Sequence, residues 1–264
     1  MKKLRLIFAG AFVLGALASC EKEEVATNDQ DAQDTPTTKD QVSSGYGGSL
    51  AQFTIVDNYL YTIDYRTLNI FLLDDAENPA LTESIDMGVG METVFHENGR
   101  LFVGANDGVH IFDISDPRSP QEVCEFDHVT SCDPVVANDN FAFATLRGGT
   151  ECGGSLSQLD IIDISDLNNP QLIGEKELVN PYGLGLSKVD GNILYVCDGY
   201  TGLKAYDISN TWNPEMVMER SDLEALDIIS DTDNNLIVLT RGGIYQFDAS
   251  NPIELVEKSM IPVQ

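Results

Sequence analysis

An apolar run closed by Asp and a polar turn recurs five times beyond Leu50, and this recurrence restricts the fold more than any other feature of the chain. The copies read Phe71 to Asp75-Ala-Glu-Asn-Pro79, Val109 to Asp113-Ile-Ser-Asp-Pro117 and Leu159 to Asp163-Ile-Ser-Asp-Leu167, followed by Leu203 to Asp207-Ile-Ser-Asn-Thr211 and Ile244 to Asp248-Ala-Ser-Asn-Pro252. Their anchor Asp residues lie 38, 50, 44 and 41 positions apart. A repeat of about 40–45 residues built from strands is the period of propeller blades.

Each unit contains four short β-rich stretches separated by turn residues. In the second unit these are Met91 to His96, Leu101 to Gly104, Val109 to Phe112 and Gln121 to Phe126, with Asn98-Gly99 as the first hairpin turn. In the fourth they are Gly183 to Val189, Ile193 to Cys197, Leu203 to Tyr206 and Glu215 to Met218, with Asp190-Gly191 at the equivalent turn. Asn-Gly and Asp-Gly suit a type I′ turn, which requires positive φ at both central residues. No stretch carries a helical period. The pattern predicts an all-β chain, a five-bladed β-propeller of four-stranded antiparallel blades over residues 49–264. Gln52 to Val56 can begin the first blade and Ile253 to Lys258 can finish the last, so the ring is expected to close by packing of blade one on blade five.

The recurring Asp has a structural use. Its carboxylate can accept from the backbone N–H two residues on, and the Pro that often follows ends strand pairing. Asp75, Asp113, Asp163, Asp207 and Asp248 are therefore read as turn residues rather than as a carboxylate cluster. Apolar-x-apolar-x-Asp-Ile-Ser followed by Pro resembles the LVIVD repeat, above all in Asp160-Ile-Ile-Asp-Ile-Ser and Val196-Cys-Asp-Gly. The resemblance spans roughly Leu50 to Gln264 and is weaker in the first and last units. It implies a β-propeller of the kind found on secreted or surface bacterial proteins and implies no particular activity.

The N-terminus speaks to the compartment. Lys2, Lys3 and Arg5 precede an apolar run from Leu6 to Leu17, and Ala18-Ser19 follow, which is the pattern of a signal peptide over residues 1–19. The run is shorter than the roughly 20 residues that span a bilayer. Leu17-Ala18-Ser19-Cys20 resembles the lipobox of bacterial lipoproteins, which implies lipidation of Cys20 after cleavage. Glu21-Lys22-Glu23-Glu24 resembles the export tag of Bacteroidetes lipoproteins, which implies the cell surface of the outer membrane. Residues 20–48 form an acidic tether too poor in large apolar side chains to offset its ordering entropy.

Fifteen Lys plus Arg stand against 43 Asp plus Glu, a net charge of -28. Loss of the first 19 residues removes three basic residues and no acidic one, leaving 12 against 43, or -31. So acidic a surface repels phosphate backbones, and nucleic acid is excluded as a partner. Expected partners are the membrane, through the lipid on Cys20, and a glycan, small anion or envelope protein.

Within a blade, the loops before the first strand and between the second and third share one face, opposite the Asp-Ile-Ser turns. Binding loops held by rigid strands are the natural place for a site. The longest runs from Leu146 to Ser155 and includes Arg147, Glu151 and Cys152; Cys132 opens the same blade. A Cys132–Cys152 disulfide would pin this insertion, with free thiols or pairings to Cys124 or Cys197 as the alternatives. Arg66, Arg147 and Arg241 follow the second strands of blades one, three and five, where they can hold an anion by forked hydrogen bonds or pair with Glu151, Asp64 or Asp227. Tyr65, Tyr182 and Tyr200 offer stacking surface, whereas Trp212 is expected to pack near the Asp-Ile-Ser turns.

Signals for catalysis are sparse. His96, His110 and His128 are the only histidines and accompany no recognisable nucleophile, and no His and Cys have zinc-ligand spacing. Ser230 to Asn234 lacks the Gly and distal Glu of an EF-hand and reads as a hairpin tip. No cofactor and no metal are expected. The chain reads as a lipid-anchored binding or interaction module. The alternative is a propeller hydrolase such as a glycosidase, with a carboxylate pair drawn from Glu151, Glu224, Asp133, Asp198 and Asp227. A third reading is a structural subunit of an envelope assembly.

Overall fold

The computed structural model describes residues 48–127, 134–149, 155–189 and 191–263. The lipidation candidate Cys20, the expected signal peptide and the expected tether up to residue 47 lie outside them, as do His128, Cys132, Asp133, Glu151 and Cys152. Twenty strands fill the described residues, with no helix. Blade 1 comprises β1 (Phe53–Val56), β2 (Tyr59–Ile63), β3 (Thr67–Leu72) and β4 (Ala80–Asp86), and blade 2 comprises β5 (Met91–Glu97), β6 (Arg100–Ala105), β7 (Gly108–Asp113) and β8 (Gln121–Asp127). Blade 3 holds β9 (Val135–Ala137), β10 (Phe141–Leu146), β11 (Gln158–Asp163) and β12 (Gln171–Glu177). Blade 4 holds β13 (Leu184–Leu186), β14 (Ile193–Cys197), β15 (Leu203–Asp207) and β16 (Glu215–Arg220), and blade 5 holds β17 (Ala225–Ser230), β18 (Asn235–Thr240), β19 (Gly243–Asp248) and β20 (Val256–Pro262). Each blade is a four-stranded sheet whose strands pair antiparallel in chain order, so the protein is a five-bladed β-propeller.

The turn chemistry follows the sequence. Asn98 and Gly99 both have positive φ, 47° and 74°, as the first hairpin of blade 2 requires. The backbone N–H groups of Ser115, Ser165, Ser209 and Ser250 donate to Asp113, Asp163, Asp207 and Asp248 at 2.6–2.9 Å. These bonds favour the ionised carboxylates and hold all four below the usual carboxylate range. The residue after each Asp returns its N–H to the first hairpin of its own blade: Ile114 to Gly99, Ile164 to Asn140, Ile208 to Asn192 and Ala249 to Asn234. Its side chain is buried and fills the space against the preceding blade.

Blade 1 departs from the alignment drawn from sequence. There it is Leu73 that donates to Asn58, so Leu72 takes the anchor position. Asp75 caps the second turn of the unit instead, accepting from Glu77 N–H at 3.1 Å as Asp116 accepts from Arg118. The shift is three residues because Leu72 stands where the other blades have their anchor Asp, and Asp75 aligns with Asp116 rather than with Asp113.

A bulge interrupts every third–fourth strand pair at the same place, between Ile70 and Phe71, Ile111 and Phe112, Ile161 and Ile162, Ala205 and Tyr206, and Gln246 and Phe247. One extra residue on each outer strand bends that edge, the usual effect of a bulge.

Four buried apolar clusters join blades 1 and 2, 2 and 3, 3 and 4, and 4 and 5. Tyrosines staple two of these junctions, with Tyr61 and Tyr195 donating their hydroxyls to the carbonyls of Pro117 and Pro252 in the next blade, each at 2.8 Å. No fifth cluster joins blade 5 to blade 1 among the described residues, contrary to the expected closure. Ile237 is 38% exposed, whereas Tyr61, Phe102, Phe143 and Tyr195 at the same blade position are 0% exposed. Ile244 is 37% exposed against 0–1% for Leu68, Val109, Leu159 and Leu203. The facing wall of blade 1 is half-buried at Leu60, Thr62, Asn69 and Phe71. The ring therefore has a seam between blades 5 and 1.

Candidate functional site

The inner strands enclose a central cavity of about 300 Å³ lined by all five blades, through Thr54, Glu97, Val136, Lys188 and Ser230 among others. It lies towards the face of the first hairpins and of the Asp-Ile-Ser turns. Across it the Lys188 ammonium pairs with the Glu97 carboxylate, tying blade 4 to blade 2 with both side chains 22% exposed. His96 lines the same wall. Burial pushes His96 below the ordinary imidazole range, and the nearby Lys188 acts in the same direction against the opposing pull of Glu97.

Gly48 to Ala51 bond to two of the residues that line the cavity, Leu184 and Val94. Ser49 is 1% exposed, and its Oγ accepts from Leu184 N–H of blade 4 at 2.6 Å. Ala51 accepts through its carbonyl from Val94 N–H of blade 2 at 2.8 Å. The segment also borders Asp227 of blade 5. A Cβ on Gly48 would stand 2.3 Å from Asp227 Oδ2, and one on Gly183 would stand 2.4 Å from Oδ1, so the carboxylate is clasped between two glycines. Burial pushes Asp227 up to about 6, against the bonds it receives from Ile228 N–H, Leu50 N–H and the Ser49 hydroxyl. Its Oδ1 is buried with no hydrogen-bond partner.

The loop face singled out from sequence is more fully paired than its residue types suggest. Arg66 meets Asp86 at 3.2 Å and Arg241 meets Glu224 at 2.7 Å, neither being the acid expected from sequence proximity. Arg147 lies over the Tyr182 ring with its Cζ 4.2 Å from the centroid, a cation–π contact between blades 3 and 4. Thr145 strengthens this junction by donating to the Tyr182 carbonyl at 3.0 Å. Tyr65 and Tyr200 are both 63% exposed, and Trp212 is 64% exposed on the opposite face rather than packed there. Asp231 accepts from Asp233 and Asn235 N–H, making the tip of Ser230 to Asn234 a hydrogen-bonded hairpin.

Three of the acids considered for hydrolysis lie within the described residues. Asp198 is 0% exposed and accepts from the Val179 and Asn180 N–H groups and from Lys204 Nζ at 2.5 Å. Glu224 is paired with Arg241, and Asp227 is clasped as described. Cys124 and Cys197 are buried free thiols, both pushed up by burial, so neither serves a disulfide. The cavity pair was not singled out from sequence. Its signal was present: Glu97 and Lys188, of opposite charge, stand just before the Asn98-Gly99 and Asp190-Gly191 turns and hence at one level of the ring.

A family model described as LVIVD repeat matches residues 100–128, 155–176 and 188–220, within blades 2 to 4. The chain carries LVIVD repeats. The LVIVD units found this way are those whose Asp-Ile-Ser sequence is intact. Among solved structures, the chain is similar to a candidate 6-phosphogluconolactonase from Bacteroides fragilis, at 16% identity and a TM-score of 0.61, covering 80% of this chain and 70% of that one. The periplasmic gluconolactonase of Pseudomonas aeruginosa matches at 14% identity and a TM-score of 0.59, covering 78% and 68%. A functionally unknown protein from Desulfotomaculum acetoxidans matches at 12% identity and a TM-score of 0.63, covering 83% and 71%. These likenesses establish the shared propeller fold. No curated protein sequence matches the chain.

Proposed function

We propose that this LVIVD-repeat propeller is a non-catalytic binding or protein-interaction module, held at the bacterial outer membrane through lipid on Cys20 and displayed at the cell surface. The observation that carries this reading is the fate of the acids. Asp198 is engaged by two backbone N–H groups and Lys204, and Glu224 by Arg241, an arrangement that supports structure rather than proton transfer. The loop face carries exposed Tyr65 and Tyr200 and the Arg147–Tyr182 stack, the chemistry to hold a sugar ring, a small anion or a protein loop.

Thermal unfolding of the full chain against glycans, small carboxylic acids and purified envelope proteins tests the reading. A ligand at about a hundred times its Kd contributes about 2.7 kcal/mol and raises Tm measurably. Binding that survives Arg147→Ala plus Arg241→Ala removes this face from the proposal.

A second reading, a hydrolase, is favoured by one arrangement, His96 and Glu97 beside Lys188 in the central cavity, together with the fold shared with the two lactonase-named structures. Turnover of sugar lactones or aryl glycosides that is lost in Glu97→Gln would establish it and displace the binding role.

A further inference from the structure

His110 of β7 lies directly opposite Glu125 of β8, and the bulge in that pair brings Glu122, opposite Phe112, back to the same face. A ring nitrogen of His110 and one oxygen from each glutamate lie within 4.8 Å of one another. Nδ1 is 2.7 Å from Glu122 Oε1, and Nε2 is 3.8 Å from Oδ1 of Asp107, in the turn that precedes β7.

The repeat supplies an internal control. The position of Glu122 is filled by Leu81 in blade 1, Leu172 in blade 3, Met216 in blade 4 and Glu257 in blade 5, each opposite the same bulged residue of the third strand. Blade 2 alone sets such an acid beside a histidine, the position of His110 being Asn69, Asp160, Lys204 and Tyr245 in the other blades. The imidazole supplies a second, independent observation: its side chain is 9% exposed, and Nε2 is buried with no hydrogen-bond partner.

Neither neutral tautomer satisfies this ring. With the proton on Nδ1, a bond to Glu122 forms but a bare Nε2 lone pair is left buried beside Asp107. With the proton on Nε2, the Nδ1 lone pair confronts a carboxylate oxygen at 2.7 Å. A positive charge on the Nδ1 side, carried by a second proton or by a metal ion, resolves both faults, because Nε2–H then points towards Asp107; in the metal-bound form this is the way imidazoles point to an outer carboxylate. Among the described residues no Lys or Arg pairs with Asp107, Glu122 or Glu125, and the net charge of -28 concentrates cations at the surface.

We infer that His110, Glu122 and Glu125 form a site for one divalent transition-metal ion of the Zn²⁺ class, oriented by Asp107 and open to solvent beyond the two glutamates. One imidazole and two carboxylates suit such an ion at about 2.0–2.2 Å per ligand, whereas Ca²⁺ takes oxygen ligands only. His110-x11-Glu122-x2-Glu125 has no zinc-motif spacing because the set is assembled across a β-ladder.

The test is calorimetric titration of the full chain with Zn²⁺ and then Ca²⁺, with histidine side-chain NMR on the same samples. One Zn²⁺ per chain is expected, with a shift of the His110 ring signals. Affinity should fall about tenfold or more in Glu122→Gln and Glu125→Gln, and by about tenfold in Asp107→Asn. Binding should persist in His96→Ala and His128→Ala. The glutamates are exposed, so their variants keep the fold even if His110→Ala does not. Absence of saturable Zn²⁺ binding overturns the inference, as does binding indifferent to both Glu→Gln variants or a Ca²⁺ affinity equal to that for Zn²⁺ with His110 unmoved.

Discussion

Replacing Asp227 by Asn should stabilise the protein at neutral pH and leave it nearly unchanged in acid. The folded carboxyl titrates at about 6 against 3.8 for an unperturbed aspartate, with burial as the principal cause. A carboxyl whose folded value is raised binds its proton more tightly in the native state, so stability is lost as pH rises from about 4 to about 6. About two pH units at roughly 1.4 kcal/mol each give a penalty of about 3 kcal/mol above that window. Asn cannot ionise, keeps an acceptor for Ser49 and Leu50, and places its amide where Oδ1 has no partner to lose. For a domain of this size about 3 kcal/mol corresponds to roughly 6–12 °C in Tm. The assay is urea and thermal unfolding of both proteins at pH 4.5, 6 and 8, taking the difference so that all other titrations cancel. A difference independent of pH, or one favouring the native protein as pH rises, refutes the argument that the clasped carboxylate is dehydrated in the fold.

Gly183→Ala should fail to close this clasp, since its Cβ would lie 2.4 Å from Asp227 Oδ1 and 2.8 Å from Asp227 Cα; circular dichroism and Tm would register a loss larger than that of Gly149→Ala, whose Cβ meets nothing within 4 Å even though both sites disfavour substitution. Phe102→Ala in the blade 2–3 junction should cost about 3–5 kcal/mol, whereas Ile237→Ala at the seam should cost less than about 1.5 kcal/mol, and equal costs in urea unfolding would mean that blades 5 and 1 pack in solution. The lowered Asp113, Asp163, Asp207 and Asp248 carboxyls stabilise the fold above the unfolded value and lose that contribution as pH falls through their folded values, so Asp163→Asn should flatten the acid limb of the stability profile without altering the limb above pH 6.

The repeat made the blades readable because it states the same local physics five times. Asp-Ile-Ser specifies an N–H acceptor and a buried plug in adjacent residues, and both appear wherever the motif is intact. Blade 1 was misread by three residues because its plug is Leu73 and its anchor is Leu72, which leave only hydrophobicity to mark the turn. The cavity pair and the His110 cluster were invisible for a different reason. Each is assembled from residues 91 or 12 positions apart, and pairing across blades or across a bulged ladder has no sequence period. The arginines show the converse: their level in the ring followed from spacing, but their partners Asp86 and Glu224 depended on where the outer strand and the next loop pass.

The seam has a partly legible chemical signature. At the blade position of Gln246, the other blades place Ile70, Ile111, Ile161 and Ala205, all 0–1% exposed and all facing the next blade. On the opposite wall Thr62 replaces Val103, Ala144, Val196 and Val238, and Asn69 stands beside Ser84 and bonds to it. Gln246 is likewise bonded, to Asn235 and Ser259 on its own sheet. Polar side chains satisfied within their own blade draw no stability from a neighbour, which is how the end units of a repeat array meet water. Ile237, Leu239 and Ile244 retain the apolar character of inner blades, so this wall combines a polar middle with an apolar margin. Placing Ile at both Thr62 and Gln246 removes the polar middle. If polarity there keeps the walls apart, the double variant should gain stability by ring closure or self-associate in sedimentation; a monomer of unchanged stability would show that geometry, not polarity, holds the seam open.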